Sequence, residues 1–212
     1  MQISPAKENI LKRIRQALIN TTPVPFPQSE GNTPVYNQPH QENEIEFAEN
    51  FGKVQGRFLF CADRNEMILQ LQQLISQNGW TQIFCRESGF LPFLKEPLKG
   101  LLIAEDLPEA DVSITGCELL IARTGSILMS SAQESGRTVS VYAPVHICIA
   151  YASQLVYDIR DGLELMLDKY KNKLPSFITL ATGPSRTADI EKTLVVGVHG
   201  PKEVYVFLID AQ

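Results

Sequence analysis

Three apolar runs in this 212-residue sequence close on the dipeptide Thr-Gly: Thr115-Gly116, Thr124-Gly125 and Thr182-Gly183. Glycine admits positive φ and lets a ligand approach the backbone, and threonine adds a hydroxyl. In open α/β sheets, ligands bind beyond the carboxyl ends of the strands, where loops of this kind gather. The third run is the richest, ITLATGPSRTADIE. A strand enters Gly183, then come Ser185 and Arg186, and Thr187 is placed to cap a short helical turn containing Asp189. Open N–H groups at a helix start, two hydroxyls and a guanidinium suit a phosphate or a carboxylate. Ser126 follows the second Thr-Gly, and Arg137 in the polar loop Gln133–Arg137 could reach the same ligand. The candidate anion-binding set is therefore Thr115, Gly116, Thr124, Gly125, Ser126, Arg137, Thr182, Gly183, Ser185, Arg186 and Thr187. The same dipeptides also serve as plain turns, and Thr124-Gly125 is short enough for a two-residue hairpin loop.

Glu118 opens an apolar run after Gly116-Cys117 and could act as a nucleophile or base. It could equally be the exposed first residue of a strand. His199 sits in Gly197-Val198-His199-Gly200-Pro201 between two apolar runs, either a site residue at a strand end or a polar turn residue. His146, inside Pro144-Val145-His146-Ile147, reads as a hydrogen-bonded core histidine. The four cysteines, at 61, 85, 117 and 148, form no C-x-x-C pair. With apolar neighbours on each, they read as small buried hydrophobes, not as metal or iron–sulfur ligands. No G-x-G-x-x-G, phosphate-binding lysine loop or G-x-S-x-G occurs. The chain is expected to carry no metal and no cofactor of its own.

The elements that must position these residues alternate. Ser4-Pro5 starts a helix whose Ile10, Leu11, Ile14 and Leu18 recur at helical spacing. Residues 1–19 are thus read as an amphipathic helix that packs on its own domain or on a partner subunit. Residues 20–43 hold five prolines and no Lys or Arg, the composition of an extended linker. Residues 44–212 form one α/β domain. Helices are expected over Ile45–Val54, Asp63–Gln77 and Asp158–Tyr170. Strands are expected over Arg57–Cys61, Thr81–Cys85, Leu101–Ala104, Val112–Thr115, Glu118–Ala122, Ser126–Ser130, Val145–Ala150, Phe177–Ala181, Leu194–Val198 and Val204–Ile209.

A hydrophobic content of 44% and a charged content of 20% belong to a globular chain. The net charge of −5 argues against nucleic acid as a partner. Pro144, His146, Ser153 and Gln154 interrupt the longest uncharged stretch, 138–157, so no membrane span is expected. The first residues lack the continuous apolar stretch of a secretory signal, which points to the cytoplasm.

Three stretches, ITGCELLIARTGSILM, GRTVSVYAPVHICIAYASQLV and TGPSRTADIEKTLVVGVHGPKEVYVFLID, resemble the lactate utilization protein C family, which carries the LUD domain. The resemblance implies a layered α/β sheet similar to the ribose-5-phosphate isomerase and CoA-transferase group. It also implies a non-redox subunit in the oxidation of L-lactate to pyruvate. Two iron–sulfur partner proteins would carry the clusters, and this chain would bind a small anionic ligand. The family brings no assigned catalytic residue. Many relatives have an acidic residue just before the second Thr-Gly where this chain has Arg123, which would make a pocket there more cationic. The alternative is a stand-alone isomerase or acyl/CoA-transferase-like enzyme acting on a phosphorylated or CoA substrate. Glu118 would then be its carboxylate, with Arg137 and Arg186 on the phosphate or CoA.

Overall fold

In the computed structural model, the described residues are 5–19, 39, 41–103, 107–171, 173–190 and 193–210. The chain divides into two units, residues 1–38 and 39–212. The first unit contains helix α1, Pro5–Ile19. Pro5 stands in the first turn, where a missing N–H breaks no helical hydrogen bond. Ile10 and Ile14, one turn apart, are both exposed. Ser4, the expected cap, and residues 20–38 of the expected linker lie outside the described residues, as does Ala104 at the end of one expected strand.

The second unit begins with α2 (Asn43–Lys53), β1 (Arg57–Cys61), α3 (Arg64–Asn78), β2 (Ile83–Cys85), α4 (Leu91–Leu94), β3 (Leu102–Ile103) and β4 (Val112–Thr115). It continues with β5 (Leu119–Ile121), β6 (Ser126–Ser130), α5 (Val139–Tyr142), β7 (Val145–Tyr151), β8 (Leu155–Val156) and α6 (Ile159–Lys169). It closes with β9 (Ile178–Ala181), β10 (Arg186–Ile190), β11 (Thr193–Val196) and β12 (Glu203–Ile209).

Six strands form a wholly parallel sheet in the order β1-β12-β7-β4-β2-β3. Its central strands are apolar on both faces, as parallel strands covered on both sides must be. In β12, Tyr205, Phe207 and Ile209 pack towards α3 with Met67, Leu71 and Ile75. The alternate residues Val204, Val206 and Leu208 pack on the other face with Phe47 and Phe51 of α2. Period-2 side-chain alternation thus divides one strand between two cores.

α3 is specified at both ends. The Asp63 carboxylate accepts from Glu66 N at 2.9 Å, and Gly79 closes the helix in the left-handed conformation with φ 66°. Asp63→Ala removes the cap and should cost about 1 kcal/mol, read as a lower urea midpoint at unchanged slope.

A second, four-stranded sheet runs β8-β5-β6-β9, with β6 antiparallel to both β5 and β9. α6 lies on it at Gly162, where a Cβ would stand 2.9 Å from Ile121 Cδ1. β10 and β11 form a separate antiparallel pair, with Thr187 opposite Val195. This corrects the helical turn expected at Thr187. The alternation Thr187-Ala188-Asp189-Ile190 has the two-residue period of a strand, and β11 supplies its hydrogen-bond partners. The loop before it therefore has no helix N-terminus to offer an anion.

Candidate functional site

The carboxyl ends of β2, β4 and β7 open into a cavity of about 410 Å³. The loop after β2 contributes Glu87 and Phe90, and the turn after β4 contributes Gly116, Cys117 and Glu118. Ile149 and Tyr151 come from β7, Gln154 follows it, and Lys169 and Tyr170 arrive from the end of α6. The place is the one where open α/β sheets hold ligands, and the volume lies in the ordinary range for small-molecule sites.

Glu118 is the most constrained group there. It is 5% exposed, which corrects its reading as an exposed strand residue: the smaller sheet and the end of α6 close over it. One carboxylate oxygen accepts from Ser130 Oγ at 2.5 Å and from Tyr170 OH at 2.7 Å. The other accepts from Lys169 Nζ at 2.6 Å. Burial pushes its carboxyl up, but hydrogen bonds from Lys169, Ser130 and Tyr170, with the ammonium charge, outweigh it and hold Glu118 below the ordinary glutamate value. The same bond to Glu118 holds the Lys169 pKa above its ordinary value. A carboxylate so fully engaged is a weak nucleophile; it fixes the cation and the phenol that line the cavity. Glu118→Ala should cost about 2 kcal/mol of stability in chemical denaturation, because three donors lose one shared acceptor.

Behind this wall, Thr115 Oγ1 lies 2.8 Å from His146 Nε2 and donates to the Gly116 carbonyl at 2.9 Å. His146 is 1% exposed, and burial lowers its pKa to about 4. It is a neutral core histidine, as its position within an apolar strand indicates. Gln154 ties the turn down, its Nε2 donating to Cys117 O at 2.7 Å and its Oε1 accepting from Tyr151 N.

The other Thr-Gly turns lie elsewhere. Ser126 Oγ is 2.7 Å from both Thr124 Oγ1 and Thr182 Oγ1, so the second and third turns meet each other. They meet at the Ile121–Ser126 end of the smaller sheet, whereas Glu118 and Ser130 stand at its other end. The first turn does not share their hollow. Both glycines press on the carboxyl end of α2: a Cβ on Gly125 would lie 2.4 Å from Phe51 N, and one on Gly183 2.3 Å from Val54 O. Asn50 Nδ2 donates to Ala122 O and Arg123 O, and Arg186 Nη2 donates to Val54 O at 3.0 Å. Carbonyls at a helix end attract the Arg186 cation and disfavour an added anion. Arg123 meets Asp158 at 2.5 Å, which offsets the cationic character its sequence position implies. Ser185 N donates to Pro201 O, and Thr187 pairs within the β10–β11 ladder.

Arg137 donates to Ser176 Oγ and lies over the Phe177 ring, apart from Arg186. His199 is exposed beside a cavity of about 450 Å³ with Tyr142, Pro144 and Lys202. That cavity is at the amino end of β7 and the Glu118 cavity is at its carboxyl end, so the two candidate catalytic residues do not converge. All four cysteines are buried. Burial pushes the Cys61 thiol up to about 12 and Cys85 to about 11, while a hydrogen bond with Cys117, then burial, raises Cys148. Among the described residues no group of three His, Cys, Asp or Glu side chains converges as a metal site.

Sequence reading did not find Glu87, Ser130, Gln154, Lys169 or Tyr170. Ser130 and Lys169 end elements that the periodicity does locate. No local motif links them to Glu118, 12 and 51 residues away.

Among known proteins, the LUD domain family model matches residues 45–209. The chain is 34% identical over 105 residues to lactate utilization protein C of Deinococcus radiodurans, covering 49% of each protein. It is 32% identical over 154 residues to lactate utilization protein C of Anoxybacillus flavithermus, covering 66% of this chain and 69% of the relative. For several other curated relatives the matched region spans less than half of the relative's length. A crystal structure of a DUF162 family protein from Deinococcus radiodurans superposes with a TM-score of 0.59 at 20% identity, covering 82% of this chain and 99% of that one. That likeness establishes the fold.

Proposed function

The chain belongs to the lactate utilization protein C family, which carries the LUD domain, and from that membership we propose that it serves lactate utilization as a non-redox subunit of an iron–sulfur system oxidising L-lactate to pyruvate. In this proposal two iron–sulfur proteins hold the clusters, and this chain binds a small anionic ligand and docks on those partners. The observation that carries it is 32% identity to a lactate utilization protein C of which the match covers 69%. The Glu118 cavity supports a ligand-binding role, because it stands where the fold places ligands and presents an ammonium, a phenol and amides. Among the described residues no helix is long and apolar enough to cross a membrane.

The test is genetic and biochemical together. Deleting this chain should abolish growth on L-lactate while sparing growth on glucose, and the tagged chain should co-purify with the iron–sulfur proteins. Normal growth of the deletion strain on lactate, with no co-purifying partner, would overturn the proposal.

The second reading, a stand-alone isomerase or acyl/CoA-transferase-like enzyme, draws on the burial of Glu118 at a cavity. The three hydrogen bonds on that carboxylate weigh against its use as a nucleophile. A melting-temperature rise of the isolated chain with CoA or sugar phosphates would favour it.

A further inference from the structure

Two features of this chain are left open, and each has what the other lacks. The first is a groove of about 570 Å³ between α2 and the outer edge of β1. β1 is the end strand of the six-stranded sheet, bonded to β12 on one side, and among the described residues no strand flanks its other side. Ile45 and Ala48 of α2 and Phe58 and Phe60 of β1 line the groove, with Ile45 and Phe60 each nearly half exposed. Its charges are Glu42, Glu44, Glu49 and Asp210, with no lysine or arginine in the lining. Among the described residues none of these four carboxylates has a salt bridge. An apolar floor at an open sheet edge is ordinarily covered by a helix or a loop. The same groove of a second copy cannot be that cover, because carboxylates would meet carboxylates.

The second feature is α1. Ile10, Leu11 and Ile14 form an apolar stripe, and Ile10 and Ile14 are exposed. On a 3.6-residue helix, Arg13 and Arg15 fall on opposite borders of that stripe. The helix carries Lys7, Lys12, Arg13 and Arg15 against Glu8, so its net charge is opposite in sign to that of the groove. An amphipathic helix that lays its apolar face in a groove and its charges on the rim is a recurrent docking mode.

We propose that the α2–β1 groove receives helix α1 of a second copy of the chain, the two copies exchanging helices about a two-fold axis. Ile10 and Ile14 cover Ile45 and Phe60, and Arg13 and Arg15 face the carboxylate rim. The segment between α1 and α2 favours a second copy over the same chain. The groove begins at Glu42 and Glu44, where that segment ends. Docking within one chain therefore requires residues 20–42 to double back, and their five prolines favour extension. Exchange of an identical element also closes the assembly on itself. The pairing does not depend on the role in lactate utilization.

The experiment measures the mass of the full-length chain by analytical ultracentrifugation over about a hundredfold range of concentration. It compares the wild type with Arg13→Glu/Arg15→Glu and with Glu49→Lys/Asp210→Lys. All four positions are exposed, and melting curves check that each variant folds. The wild type should dimerise, and each double variant should raise the dimer dissociation constant about tenfold or more. The two double variants mixed in equal amounts should recover the wild-type affinity, because each contact of the mixed pair then joins opposite charges. A monomer at every concentration, a dimer indifferent to both double variants, or a mixture no tighter than its components would overturn the proposal. Binding of a monomeric wild type to phosphatidylserine vesicles, lost in Arg13→Glu/Arg15→Glu, would overturn it in favour of a lipid surface for α1.

Discussion

Folding of this chain should weaken by about 3 kcal/mol as the pH falls from 6.5 to about 4, and His146 should account for that loss. The ring is buried in β7 beside Thr115, and burial lowers its pKa from 6.5 to about 4. Above pH 6.5 neither the folded nor the unfolded chain holds the extra proton. Between 6.5 and about 4 the unfolded chain takes it up and the folded chain does not, so stability falls with pH and levels off near 4. Each pKa unit is worth about 1.4 kcal/mol, which sets the size. Urea denaturation at half-unit intervals of pH should give a slope approaching one proton in this window. His146→Gln should flatten it; an unchanged slope in that variant would assign the titration elsewhere. Glu118, Asp111 and Asp158 have carboxyls held below their ordinary values, so their contributions are lost at lower pH, below about 4.5.

Gly125→Ala should destabilise the chain by about 3 kcal/mol or more. Two effects add. The residue has φ 59°, a left-handed conformation costing about 1 kcal/mol for alanine, and its Cβ would lie 2.4 Å from Phe51 N and 2.6 Å from Asn50 C. Backbone atoms of α2 cannot step aside as a side-chain tip can, so the helix must move off Ala122 and Arg123. Gly136→Ala separates the two effects. Gly136 has φ 63° with nothing within 4 Å of its Cβ position, so this variant should lose about 1 kcal/mol. Equal urea midpoints for the two variants would show that α2 yields without cost.

These two residues also mark what the sequence makes legible. Strand–helix alternation is visible because the apolar runs of β4, β7 and β12 and the 3.6-residue pattern of α3 are local properties. Asp63 and Asn78-Gly79 mark the ends of α3 directly. Thr-Gly at 124 and 182 is visible as a pair of turns, but its physical reason is not local. Those glycines are small because α2, more than 70 residues from Gly125, packs on them. For the same reason Glu118 cannot be told from an exposed strand residue until Lys169 and Tyr170 are brought to it by the return of α6. The strand at Thr187 was obscured by a capping hydroxyl, a signal that helices and extended segments share.

The position of β12 between β1 and β7 has a consequence for biosynthesis. β1 is made early, yet its hydrogen-bonded neighbour is residues 203–209, so its polar edge waits through some 140 intervening residues of translation. Loop closure over that separation is slow. A nascent chain halted before residue 203 therefore exposes Phe58 and Leu59, which pack against the two cores that β12 completes, and a chaperone would meet that edge before the ribosome releases β12.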